Sequence, residues 1–252
     1  MNFRDAIFAL AFCTPGMAGA ASGALYCPTQ PTDIAVMGDS LADGVWGALE
    51  RGWSACGEVT LHRVTAVSDG LAVHDAATWI GRLAASLGPE GRAEVVIIQL
   101  GANDIRPLRT AEGRATFGTD AWKAAYGNRA TELLKGVANH ASAAIWLGLP
   151  VVGDSRLESS YVEVSAVQSA AATGATALPA RFVDLHEATE FGTGGFVQSA
   201  EVDGTMTQLR APDLIHFTAR GYDLVLATFA GDLEKRLRAR DAKATLGGMA
   251  LQ

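Results

Sequence analysis

Residues 94–100 read EVVIIQL, with four β-branched residues in a row from Val95 to Ile98. In an extended chain, successive side chains point to opposite faces. A run that is apolar at every position needs cover on both faces, which is the condition of a central strand in a parallel sheet flanked by helices. The chain supplies such helices in alternation. Strands are predicted at 33–37 (DIAVM), 58–67, 94–100, 143–150 and 181–186. Helices are predicted at 41–52, 74–88, 119–141, 156–172 and 218–240, the last N-capped by Thr218. This alternation predicts an α/β chain with a mostly parallel five-stranded sheet and helices on both faces. In such sheets ligands sit at the carboxyl ends of the strands.

Three short motifs fall on that rim. Gly38-Asp39-Ser40 follows the first strand, Gly101-Ala102-Asn103-Asp104 follows EVVIIQL, and Asp213-Leu214-Ile215-His216 precedes the last helix. Each is common by itself: a turn with a helix cap, a strand ending in turn formers, an ordinary histidine. Together they meet the needs of nucleophilic catalysis. A serine hydroxyl attacks poorly until a base takes its proton. An imidazole, with an ordinary pKa near 6.5, accepts and returns that proton near neutrality. His216 would be that base, oriented by Asp213 from the same loop. The oxyanion formed by attack needs preorganised donors. Candidates are the Ser40 N–H at the helix start, the Asn103 amide, and the N–H of Gly70 in SDGL, which otherwise reads as a plain turn glycine. Asp39 and Asp104 are expected to brace the loops through hydrogen bonds. Asp75 and Trp79 read as a helix cap and a core residue.

Composition narrows the function. A net charge of −7 and a pI of about 5.2 disfavour nucleic-acid partners. No zinc-type Cys/His spacing, P-loop, dinucleotide-binding glycine motif or G-x-S-x-G elbow is present. With 252 residues, 49% of them hydrophobic, the chain suffices for one large core.

Residues 1–20, with Arg4 before AIFALAFC and then AGAASGA, read as an export signal cleaved after Ala20, too short to span a bilayer. The mature protein is therefore expected in the periplasm or outside the cell, without stable membrane insertion. Residues 21–32 are a lead-in, 33–240 the domain, and 241–252 a tail expected to be disordered. Cys27 and Cys56 form an even pair that would bridge in an oxidising compartment, free thiols being the alternative. Two long loops, 105–118 and 187–212, are of a length often tied to function. Arg106, Arg109 and Arg114 in the first read foremost as solvated charges, and secondly as contacts for an anionic acyl or sugar group.

The ordered blocks Gly-Asp-Ser, a glycine after the second strand, Gly-x-Asn-Asp and Asp-x-x-His resemble the SGNH (GDSL-type) hydrolase family from Asp33 to the last helix. GDSLADGVWGAL, SDGLAVHDAATW, LGANDIR, WLGLP and HFTARGY are similar to an uncharacterised exported bacterial subfamily. The resemblance implies a flavodoxin-like three-layer α/β/α sandwich, a Ser40 nucleophile with a His216–Asp213 pair, and an oxyanion hole from Ser40, Gly70 and Asn103. It implies no metal and no organic cofactor. The expected activity is a serine esterase that removes a short O-linked acyl group, such as acetyl, from a carbohydrate or cell-envelope glycan. The expected partner is an acylated small molecule or glycan, and nothing in the sequence specifies an oligomeric state. The alternatives are an O-acyltransferase using the same triad and a non-catalytic glycan-binding module.

Overall fold

The EVVIIQL run forms the fully buried strand Val95–Gln99 in the middle of a parallel sheet. The computed structural model describes residues 24–249. In chain order its elements are β1 (Thr32–Gly38), α1 (Ser40–Gly52), β2 (Val59–Thr65), α2 (Ala76–Leu87), β3 (Val95–Gln99), β4 (Leu108–Thr110), β5 (Gly113–Ala115), α3 (Asp120–Val137), β6 (Ala144–Leu147), α4 (Ser155–Thr173), β7 (Ala180–Val183), β8 (Ser199–Val202), β9 (Thr205–Gln208) and α5 (Ala219–Met249).

The main sheet has the order β2-β1-β3-β6-β7, and every neighbouring pair is parallel. Side-chain alternation on its strands divides the core in two. Ala35, Met37, Val96, Ile98 and Trp146 pack under α2, α3 and α4. Ile34, Val36, Val95, Ile97 and Leu147 pack under α1 and α5. The result is a three-layer α/β/α sandwich, as expected. The strand order reverses between β1 and β3, so the crevice beyond their carboxyl ends is the natural ligand position.

Three strands end level there. Gly38 is in register with Thr65 on β2 and with Gln99 on β3. Beyond the strands, the Asp39 N–H donates to the Gln99 carbonyl (3.1 Å) and the Ala66 N–H to the Gly38 carbonyl (2.9 Å). Gly38 has φ +151°, and a Cβ added to it would lie 1.8 Å from the Gln99 oxygen. Only glycine fits this close approach.

The tail expected to be disordered from 241 is helical instead, because α5 continues to Met249. The apolar stripe stops near Leu237, but polar contacts hold the extra turns. The buried Asp241 carboxylate accepts the Tyr26 hydroxyl (2.9 Å) and the Thr29 N–H (2.7 Å). The lead-in is thus pinned to α5. It is pinned to the end of α1 as well, where Trp53 Nε1–H donates to the Tyr26 carbonyl (2.9 Å) and Cys27 and Cys56 form a disulfide. The proposed signal, 1–20, and residues 250–252 lie outside the described residues. The two long loops carry short hairpins, β4–β5 and β8–β9.

Gly38→Ala is expected to cost about 3 kcal/mol or more, read from the urea midpoint; a loss below about 0.5 kcal/mol would refute the close-approach account. Replacing Cys56 with serine should remove roughly 3–4 kcal/mol yet leave a folded protein, since the lead-in keeps its hydrogen bonds. Loss of the near-ultraviolet dichroism at 25 °C would contradict this.

Candidate active site

The strand-to-helix turn sets the serine. Asp39 is the N-cap of α1, its Oδ1 accepting the Leu41 N–H at 2.9 Å. Ser40 is therefore the first residue of α1, at the end where the unpaired N–H groups and the helix dipole favour negative charge. The Ser40 N–H has no acceptor among the described residues.

The histidine arrives from the other end of the chain. His216 Nε2 lies 2.7 Å from Ser40 Oγ, and its Nδ1 lies 2.7 Å from Asp213 Oδ2. The other Asp213 oxygen accepts the N–H groups of Ile215 (3.0 Å) and His216 (2.9 Å). That tight loop forces Leu214 to φ +64°, an uncommon backbone for a branched residue. Partial burial pushes the Asp213 carboxyl up, but the two N–H bonds and the imidazole outweigh it and hold its pKa below the ordinary value. Ser40, His216 and Asp213, which the sequence reading groups together, thus lie in one hydrogen-bonded chain. The His216 and Asp213 side chains are 33% and 49% exposed, so water reaches them.

The brace of this loop was not foreseen. Arg210 is completely buried; it donates to the carbonyls of Ile215 (3.1 Å) and Val151 (2.8 Å) and lies 3.8 Å from the centre of the Phe217 ring. Burial lowers its pKa to about 10. An arginine before an Asp-x-x-His motif reads as a surface charge, so the sequence carries no sign of this role.

Asp39 and Asp104, both fully buried, lace together the start of α1 and the loops after β2 and β3. Asp39 Oδ2 accepts the Ala102 N–H (3.2 Å). Asp104 accepts the N–H groups of Leu71 (3.1 Å) and Ala72 (2.8 Å) and the Tyr126 hydroxyl (2.7 Å). Gln168 completes the network, donating to Tyr126 Oη and to the Leu100 carbonyl. Tyr126 and Gln168 were missed, since a lone polar residue in a helix pattern does not reveal which way it faces. Burial drives the Asp39 pKa up to about 7, with the nearby Asp104 charge adding to it, and burial raises Asp104 as well.

The oxyanion candidates meet with different outcomes. Asn103 Nδ2 donates to the Asp69 carbonyl at 3.0 Å, which leaves its amide a second N–H. The Gly70 N–H belongs to that same peptide and donates to Asp69 Oδ1 at 2.7 Å. In a trans peptide the C=O and N–H point opposite ways, so the Gly70 N–H is directed away from Asn103. Gly70 therefore stands beside the site without a free donor. Its missing side chain matters for another reason: a Cβ there would lie 2.1 Å from Asp104 Oδ1. Asp69 is held by His74 (2.7 Å) and Arg82 (2.8 Å). Asp75 caps α2 through the Thr78 N–H and Trp79 is fully buried, as expected. Among the described residues no group of three or more His, Cys, Asp or Glu is arranged to hold a metal ion, and no helix is long and apolar enough to cross a membrane.

One family, described as "Protein of unknown function (DUF459)", matches residues 33–231. No curated protein matches the chain. Among solved structures, an alpha/beta hydrolase enzyme from the metagenome of Lake Arreo is similar over 85% of this chain and 99% of its own (TM-score 0.55, 14% identity). Axe2, an acetylxylan esterase from Geobacillus stearothermophilus, is similar over 82% and 94% (0.52, 14%). A GDSL-like lipase from Bacteroides thetaiotaomicron is similar over 81% and 89% (0.50, 16%). At these identities the likeness is one of fold, shared with an alpha/beta hydrolase, an acetylxylan esterase and a GDSL-like lipase.

The raised Asp39 pKa has a defined sign in stability. An unfolded aspartate loses its proton near pH 4, whereas the native one holds it to about pH 7. Between these values the native state binds more protons, so the Asp39 contribution falls as pH rises and is flat above about 7. Wild type should lose ground to Asp39→Asn by up to about 4 kcal/mol between pH 4 and 7.5 in urea unfolding; parallel profiles would refute the buried titration.

Proposed function

The chain belongs to the DUF459 family, and we propose that it is a serine esterase of the SGNH (GDSL) type that removes a short acyl group, such as acetyl, from a hydroxyl of a carbohydrate or cell-envelope glycan. The observation that carries this reading is the unbroken chain from Ser40 Oγ through His216 to Asp213, 2.7 Å at each step. Support for a sugar ester comes from the fold shared with an acetylxylan esterase.

The mechanism follows from the geometry. As Ser40 Oγ attacks the ester carbonyl, His216 Nε2 takes the hydroxyl proton, and Asp213 stabilises the imidazolium. Charge moves to the carbonyl oxygen, toward the Ser40 N–H and the free N–H of the Asn103 amide. The Gly70 N–H joins them only after the Asp69–Gly70 peptide rotates. The tetrahedral intermediate collapses by breaking the bond to the alcohol oxygen, which receives the proton from His216. Water then repeats the sequence on the acyl-Ser40 ester and releases the acid. Hydrolysis is favoured over transfer to a second hydroxyl because His216 and Asp213 are open to water. An acyltransferase would need that water excluded. A non-catalytic glycan-binding module would have no use for the assembled triad.

The protein is taken as exported. The Cys27–Cys56 bridge suits an oxidising compartment, and the sequence of residues 1–20 has the pattern of a signal.

A fluorophosphonate should add once to the mature protein, as read by intact mass, with the adduct lost in Ser40→Ala and slowed in His216→Ala. Hydrolysis of 4-nitrophenyl acetate should fall by about 10³-fold or more in either variant. An adduct that survives Ser40→Ala would overturn the assignment of the nucleophile.

A further inference from the structure

We propose that the cleft between the loops following β2 and β3 is a subsite for an anionic group, a carboxylate or phosphate, carried by the ester substrate and gripped by Arg106, Arg109 and Arg114. The proposal rests on the esterase reading of Ser40 and specifies its substrate as an acylated acidic glycan.

The cleft is about 790 Å³, room enough for a sugar ring and its substituents. One wall is Ala72 and Val73, directly after Gly70 and Leu71; the facing wall is Ile105 and Arg106, directly after Asn103 and Asp104. It therefore begins where the catalytic loops end. The proposal places in this opening the alcohol portion of a substrate whose acyl carbon sits at Ser40.

Its charge is out of keeping with the rest of the molecule. The chain is acidic, at −7. Among the described residues every arginine outside this cleft, apart from Arg92 and the buried Arg210, has a carboxylate within ion-pair distance. Arg92 instead donates to carbonyls at and beyond the end of α3. Arg106, Arg109 and Arg114 have neither an ion pair nor a side-chain hydrogen bond among the described residues, and all three line this cleft with Arg129. The single carboxylate in the lining, Asp75, accepts the N–H and the hydroxyl of Thr78 through Oδ1 and is within ion-pair distance of no arginine among the described residues.

The arrangement also works against the hairpin that carries it. Arg109 and Arg114 are directly opposed across β4 and β5. Like charges in that position destabilise a strand pair. No ion pair among the described residues offsets them, whereas an oxyanion would: guanidinium forks bind carboxylate and phosphate in bidentate fashion. Arg129 has a different part. It donates to the carbonyls of Leu71 and Arg109, tying the hairpin to the loop after β2 and keeping the cleft in shape.

The test compares three mono-O-acetylated methyl glycosides: the neutral glucoside, the glucuronate and the glucose 6-phosphate. At low salt the wild-type enzyme should favour at least one anionic ester over the neutral one by tenfold or more in kcat/KM, and the preference should shrink at 0.3 M salt. The anion that gains more identifies the group. In Arg109→Gln/Arg114→Gln, checked for an unchanged melting temperature, KM for the anionic ester should rise about tenfold with kcat little altered, so the preference collapses. Equal use of neutral and anionic esters by wild type, or a preference retained in the double variant, overturns the subsite. If wild type cleaves none of the esters, the esterase reading fails first. Calorimetry of Ser40→Ala with methyl glucuronide and methyl glucoside 6-phosphate then decides the cleft. Binding of either that is lost on adding the two glutamines sustains it, and binding of neither overturns it.

Discussion

Two carboxylates with almost no access to water hold this site together. Asp39 ties the start of α1 to the loop after β3, and Asp104 ties that loop to the one after β2. Neither has a basic partner among its hydrogen bonds. Each is compensated by N–H groups and, for Asp104, by the Tyr126 hydroxyl, and the compensation is incomplete, as the upward displacement of both pKa values records. The return is precision. Each oxygen of these carboxylates accepts a bond from a loop or from the end of a helix, so the three segments at the switch point move as one body. The serine and the Asn103 amide owe their relative position to this lacing.

The histidine is held by other means. Its loop lies at the surface, its partner Asp213 is half exposed, and its support comes from below through the buried Arg210. The site thus joins a rigid half, bound into the sheet, to a half that sits on the last helix. Thr218 starts that helix by accepting the Gly221 N–H, and the packing of Tyr222, Val225 and Phe229 in the core shared with α1 brings it back over β1. Ser40 and His216 are 176 residues apart in the chain, yet α1 and α5 are neighbours on one face of the sheet. That adjacency brings His216 to Ser40.

Much of this was legible. Strand and helix positions followed from apolar spacing, and most differ from the structure by a residue or two at their ends. Asp39 and Asp104 were expected as braces, because carboxylates in turn motifs seek backbone N–H groups. The tail after 240 was misread because periodicity sees only apolar stripes, and Asp241 is held by a hydroxyl and an N–H from a segment more than 200 residues away. Arg210, Tyr126 and Gln168 escaped for a related reason: a polar residue is buried or exposed according to what lies opposite, which local sequence does not state.

The sequence by itself determined the sandwich and singled out Ser40, His216 and Asp213 as the candidate reacting groups. Hydrophobic periodicity and motif chemistry are local properties, and a strand such as EVVIIQL has few environments in which it is stable. Only the tertiary structure decided how those groups face one another. It turned the Gly70 N–H toward Asp69, set Arg210 beneath the histidine loop, and gathered Arg106, Arg109 and Arg114 in one cleft between the loops after β2 and β3. Each outcome is a matter of direction and of distant partners. A peptide plane, a buried guanidinium and a cross-strand pair take their orientation from neighbours that only the folded chain brings near.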